Sequence, residues 1–153
     1  MPGTIEKRLA DLGVEIGTPA APAANYVPSV RTGNLVFISG QVSQDASGLI
    51  KGKLGADMTA EDGAKAARAC AIKLIEQMKV ATGDLDKVKR VVKLLGMVNS
   101  TPDFPDHPKV VNGCSDLLVE VFGDKGRHAR SAVGVVNLPF GVAVEVEAII
   151  EVE

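Results

Sequence analysis

The chain has 153 residues, 46% of them apolar and 24% charged, which suits one domain with a real hydrophobic core and excludes a disordered segment. Its 17 basic and 19 acidic residues are scattered and leave a net charge of −2, with no Trp, one Tyr and four Phe. That balance offers neither a phosphate-neutralising surface nor a base-stacking platform, so no nucleic-acid partner is expected.

Met1-Pro2-Gly3-Thr4 lacks the basic and apolar regions of a signal peptide, and no later apolar run reaches bilayer length. A cytoplasmic protein with no membrane partner is expected. Residues 1–13 read as a short helix capped by Thr4, with Ile5, Leu9 and Leu12 on one face and Gly13 at its end. Residues 17–28, with Pro19, Pro22 and Pro28, read as a loop or extended arm. Tyr26 to Arg31 and Leu35 to Ser39 are strand-like and joined by the turn Thr32-Gly33-Asn34. Gly48 marks a further turn.

Thr59-Ala60-Glu61-Asp62 resembles a capping box opening a long helix that runs to Gly83. Its buried stripe is Ala67, Cys70, Ala71, Leu74, Met78 and Ala81; Lys65, Arg68, Lys73, Glu76 and Lys79 are expected to face water. Val88 to Asn99 is a strand. A second long helix starts near Lys109 and stops at Gly123, with Val110, Cys114, Leu117, Leu118 and Val121 as its stripe. Cys70 and Cys114 thus sit on separate helices as buried free thiols. Two strands end the chain, Ala129 to Val136 and Val142 to Glu151, with Leu138-Pro139-Phe140-Gly141 between them.

Two helices cover one face of a four- or five-stranded sheet and leave the other bare. A half-exposed sheet should alternate apolar and polar residues. Here Leu35 and Phe37 oppose Val36 and Ile38, while Val92, Leu94 and Val98 oppose Val91, Leu95 and Met97. Both faces are apolar, so the uncovered one is expected to meet another subunit.

If the last two strands form a hairpin across residues 138–141, Gly134 faces Glu145. One face then carries Ser131, Val133, Val135, Val144 and Val146, and the other Arg130, Ala132, Gly134, Glu145 and Glu147. Two readings of Arg130 are open. It pins subunits together through a salt bridge, or its rigid fork of donors takes a ligand carboxylate while Glu145 holds or deprotonates a water. Pattern does not choose between them. His107 and His128 share no metal-ligand spacing and read as loop or surface residues, although His128 stands two residues before Arg130, where it could tune a pocket. Asp103 and Asp106 read as turn or capping residues.

Asn25-Tyr26-Val27-Pro28-Ser29-Val30, Gly33-Asn34-Leu35-Val36-Phe37-Ile38-Ser39-Gly40-Gln41, and above all Arg130-Ser131-Ala132-Val133 through Leu138-Pro139 to Val144-Glu145-Val146-Glu147-Ala148 resemble the RidA (YjgF/L-PSP) family across residues 24–151. The resemblance implies a single domain, residues 1–24 being a helix and Pro-rich arm added to a core from residue 25. It implies an α+β, chorismate-mutase-like fold, a mixed sheet with two long helices on one face, assembled as a homotrimer with sites between subunits. Enzymatic members hydrolyse enamines and imines such as 2-aminoacrylate to a 2-oxo acid and ammonia, with no metal or organic cofactor. By similarity Arg130 grips the substrate carboxylate and Glu145 positions water, while Tyr26, Ser39, Gly40 and Asn112 line the pocket. The alternative that the resemblance carries is a non-catalytic trimer that binds small carboxylates such as 2-oxo acids, or a stress-linked chaperone. Ribonuclease activity, a label attached to parts of the family, finds no support in the residues.

Departures mark a divergent subgroup. Ala132 stands where many members have cysteine, Phe140-Gly141 replaces a polar pair, and residues 103–112 carry an insertion. Residues 123–128 replace a Pro-containing approach to the arginine.

Overall fold

The computed structural model describes residues 3–22 and 24–153. Three helices, α1 (Thr4–Asp11), α2 (Ala60–Thr82) and α3 (His107–Phe122), accompany a five-stranded sheet. Its strands are β1 (Ser29–Thr32), β2 (Leu35–Val42), β5 (Val88–Asn99), β6 (Ala129–Val135) and β7 (Val144–Val152), in the order β1-β2-β7-β5-β6. A two-residue pair, β3 (Gln44–Asp45) and β4 (Gly48–Leu49), makes the hairpin that Gly48 signalled. The fold is mixed α+β: α2 and α3 pack on one face of the sheet, as the sequence implied.

The expected β6–β7 hairpin does not form. β7 lies between β2 and β5, antiparallel to both, so its two hydrogen-bonding edges are already occupied. β6 is displaced to the sheet edge, where it runs parallel to β5. A parallel neighbour needs a long crossover, and α3 supplies it.

α2 starts on the expected capping box: Thr59 Oγ1 accepts from Asp62 N at 3.2 Å, and Asp62 Oδ2 accepts from Thr59 N at 3.3 Å. Gly83 ends it in the left-handed region. α3 starts two residues earlier than expected because Pro108 fits the first turn, where its missing N–H costs nothing. The two helices cross where Gly113 meets α2, and a Cβ at Gly113 would overlap the Ala64 carbonyl. Cys70 and Cys114 are buried and unpaired between helices and sheet.

Three local expectations are corrected. α1 is capped from a distance, since the Asp86 carboxylate accepts from the N–H groups of Thr4 and Ile5, both at 2.9 Å, and Thr4 itself caps nothing. Glu76 does not face water. It is 4% exposed beneath the arm, where Oε2 accepts from Gly17 N at 2.7 Å and Oε1 lies 3.2 Å from Lys73 Nζ. In β5, register shifts flanking Arg90 and Lys93 put Val91 on the helix side with Leu94 and Val98, so simple alternation fails there.

Apolar residues do occupy both faces. Val36, Ile38, Leu94, Val98, Val144, Val146 and Ile150 are buried under the helices. On the other face lie Leu35, Phe37, Leu95, Met97, Val133 and Ile149, with Phe37 and Val133 each 42% exposed in the single chain. Gly113→Ala should separate α2 from α3 and cost roughly 1–3 kcal/mol, read as a lower urea midpoint; an unchanged midpoint would contradict the close crossing.

Candidate active site

Glu145 is placed by a bulge in its neighbour. The β2–β7 register runs Ile38↔Ala148 and then Gln41↔Val146, so Ser39 and Gly40 together oppose Glu147. The bulge turns Gly40 toward Glu145, and a Cβ there would overlap the Glu145 carboxylate. Only a bare Cα lets that carboxylate lie against the strand. Glu145 is half-buried. Desolvation, and secondarily the charge of Glu147, push its pKa above the usual carboxylate range.

A cleft of about 490 Å³ opens beside it. Tyr26, Gly40, Gln41, Gln77, Phe140 and Glu145 are among its walls, and the Pro-rich arm forms one side. Ser39, expected in the pocket, instead fastens that arm: Oγ donates to the Val27 carbonyl at 2.8 Å and N donates to Pro28 O at 2.9 Å. Phe140 is 70% exposed and is the one described non-glycine residue in the left-handed region, at φ 62°. A bulky side chain is held there against its preference, and it forms part of the cleft wall.

Arg130 lies elsewhere. On β6 it pairs with Leu94, which is buried under the helices, so Arg130 is on the helix side of the sheet edge. Glu145 pairs with Met97 and Val42 on the opposite face. The sequence-based expectation that both share a face therefore fails with the hairpin that generated it. Within one chain they stand two strands apart, about 10 Å across the sheet before the difference in face is counted.

Arg130 is held by α3: Nη1 donates to Ser115 Oγ at 3.0 Å and Nη2 to the Pro108 carbonyl at 3.2 Å. A guanidinium has five N–H donors; these two contacts leave three for a ligand. Ser115 Oγ lies 2.8 Å from His128 Nε2, and His128 Nδ1 lies 2.6 Å from Gly126 O. Asn112 is exposed on the helical face that carries Pro108 and Ser115, one turn from each. The six expected site residues thus divide into Tyr26, Ser39, Gly40 and Glu145 on one side and Arg130 and Asn112 on the other. Ser115, Gln41, Gln77 and Phe140 were not expected from sequence, because nothing in local spacing ties them to either side.

His107, read as a loop or surface histidine, is instead the partly buried first residue of α3: Nε2 lies 3.2 Å from Ser100 Oγ and its ring meets Phe104 edge-on. Among the described residues no group of His, Cys, Asp and Glu has the arrangement of a metal site. No described helix is long and apolar enough to cross a membrane.

Comparison with known proteins places this geometry. Residues 6–150 match the family described as "YjgF/chorismate mutase-like, putative endoribonuclease". The chain is 51% identical to "Protein TCP17" of Trypanosoma cruzi, over 97% of this chain and 94% of that protein. It is 29% identical to the "2-iminobutanoate/2-iminopropanoate deaminase" of Dermatophagoides farinae, over 90% and 95%. A crystal structure from Shewanella oneidensis, titled a putative endoribonuclease, superposes with a TM-score of 0.93 at 35% identity, covering 98% of this chain and all of that one.

Since its raised pKa marks an ionised form disfavoured by folding, Glu145→Gln should raise the Tm at pH 7. The gain should vanish as the pH falls through the wild-type folded pKa toward about 4, where both states are protonated. An equal Tm at pH 7 would mean that Glu145 is not desolvated.

Proposed function

This chain belongs to the YjgF/RidA family, and we propose that within it the protein is a hydrolytic deaminase of imines and enamines derived from 2-amino acids, working as a homotrimer with its sites between subunits. The observation that carries the reading is the division of the site. A clamped guanidinium with free donors lies on one face of the sheet, and a half-buried carboxylate of raised pKa lies beside a cleft on the other. Neither half reaches the other within one chain, and the open face is apolar enough to seat a second copy.

The chemistry follows from charge. Arg130 of one subunit takes the substrate carboxylate in its fork and presents the adjacent C=N carbon to the neighbouring subunit. Glu145 there holds a water and accepts its proton as the oxygen adds to that carbon. The imine nitrogen takes up a proton, giving a carbinolamine. A second proton, passed from the hydroxyl by way of Glu145, reaches the amine, and the C–N bond breaks with ammonia as the leaving group. That loss of the hydroxyl proton gives the 2-oxo acid, so imine and water become 2-oxo acid and ammonia. An enamine enters the same path once its terminal carbon gains a proton. A carboxyl with a raised pKa suits a group that must take and return a proton near neutrality. No redox or cofactor chemistry is required by this balance. The name of the Dermatophagoides relative, a 2-iminobutanoate/2-iminopropanoate deaminase, supports short aliphatic imines as the substrate class.

The test generates imines in situ with an amino-acid oxidase and follows ammonia release. Wild-type protein should accelerate it; Arg130→Ala should lower kcat/KM about 100-fold or more, and Glu145→Gln should abolish turnover while keeping pyruvate affinity. If wild type adds nothing to the solvent rate for several such imines, the deaminase reading is wrong. Subunits carrying Arg130→Ala and subunits carrying Glu145→Gln, each inactive, should regain activity when refolded together. Random mixing in a ring rebuilds about one site in four. No recovery would show that both residues act from one chain.

A further inference from the structure

The contacts around Arg130 have a direction that their chemistry fixes. The Gly126 carbonyl can only accept, so at 2.6 Å the proton of the imidazole lies on His128 Nδ1. The guanidinium can only donate, so Ser115 Oγ accepts from Arg130. The Ser115 hydroxyl proton is then left for His128 Nε2 at 2.8 Å, which in this tautomer is a bare lone pair. Each link leaves one arrangement for the next.

We propose that Ser115 and His128 are positioning residues that lock the Arg130 guanidinium through a single-sense hydrogen-bond chain, from Arg130 through the Ser115 hydroxyl to His128, anchored on the Gly126 carbonyl. The proposal rests on the reading of Arg130 as the carboxylate clamp. It goes beyond that reading by assigning what sets the clamp's orientation. The Pro108 carbonyl holds Nη2, so the Ser115 arm fixes the second point that defines the plane of the fork.

A free arginine samples many rotamers and loses that freedom when it grips a ligand. Fixing it beforehand removes the loss from the binding step. Both supports come from rigid parts of the fold. Ser115 sits in the middle of α3, and His128 is tied to Gly126, which closes the 3-10 turn after α3. Gly126 is itself buried against α3, where a Cβ would overlap the Leu118 carbonyl. The neutral imidazole that the chain needs is favoured by its surroundings: burial pushes the His128 pKa down, the Gly126 carbonyl opposes this less strongly, and the Arg130 charge adds a smaller downward push. A proton on Nε2 would turn that atom into a donor and leave the Ser115 hydroxyl without its acceptor. His128 thus acts on the ligand through Arg130 and does not touch it.

Nitrogen-15 spectroscopy of the full chain tests the arrangement directly. The expected result is a neutral His128 protonated on Nδ1, with separate Arg130 Nη–H signals that merge in Ser115→Ala and stay apart in Ser115→Thr. The functional arm measures pyruvate affinity by calorimetry and the KM for in situ imines. Ser115→Ala and His128→Phe should each weaken both about tenfold and leave kcat within about twofold. Ser115→Thr should restore wild-type values, and the double variant should be no worse than either single one, since both break one chain. Equal Tm and equal assembly mass separate this effect from misfolding. Protonation of His128 on Nε2, or an Arg130 spectrum unchanged in Ser115→Ala, overturns the proposal. Absence of imine turnover alone would defeat the deaminase reading and leave this one to stand on pyruvate affinity and the spectra.

Discussion

The central position of β7 constrains most of what surrounds it. A strand hydrogen-bonded on both edges has no freedom to turn, so each of its side chains is committed to one face. Val144, Val146, Ala148, Ile150 and Val152 go to the helices and are buried, which sends Glu145, Glu147, Ile149 and Glu151 to the other face. A slip of one residue would drive the glutamates at 145, 147 and 151 into the helix-packed core and expose the valines. The penalty for burying unpaired carboxylates makes that slip prohibitive. Glu145 is therefore placed by the whole ladder and not by local preference, and the Ser39–Gly40 bulge in β2 then clears the space its carboxylate occupies. The same insertion moves β6 to the edge and brings Arg130 beside the early turns of α3.

What was legible in sequence follows from how locally each feature is encoded. The Val88–Asn99 strand and the Thr59–Asp62 cap were readable because their signals lie within a few residues of their effects. Apolar residues on both faces of the sheet were readable too, since alternation reports the period of a strand. It does not report the neighbour. The 138–141 loop suited a hairpin, and nothing in residues 129–151 records that β2 and β5 flank β7. Glu76 and the α1 cap escaped for the same reason: a helical wheel cannot see an arm that arrives from Gly17, and Thr4 is served by an acid 82 positions away. The identities of Arg130 and Glu145 as candidates came from a motif of residue types, whereas their arrangement depends on topology, and there the reading erred.

That error changes the meaning of the two readings first open for Arg130, an intersubunit salt bridge or a carboxylate grip. Burial, and secondarily the charge of Glu147, raise the proton affinity of Glu145 on a face that is partly desolvated in a single chain. Packing another copy there would desolvate them further and raise the cost of keeping Glu145 ionised. In the proposed trimer the adjoining copy's Arg130 stays clamped on Ser115 and Pro108, so its free donors answer to the ligand carboxylate. Glu145 then keeps the raised proton affinity that burial gives it, which suits it to take a proton from water once the substrate is in place. An intersubunit salt bridge would instead draw the guanidinium off that clamp and pull the Glu145 pKa down. The two readings of Arg130 thus make opposite demands on one carboxylate, and only the grip agrees with a base that is desolvated before the ligand arrives.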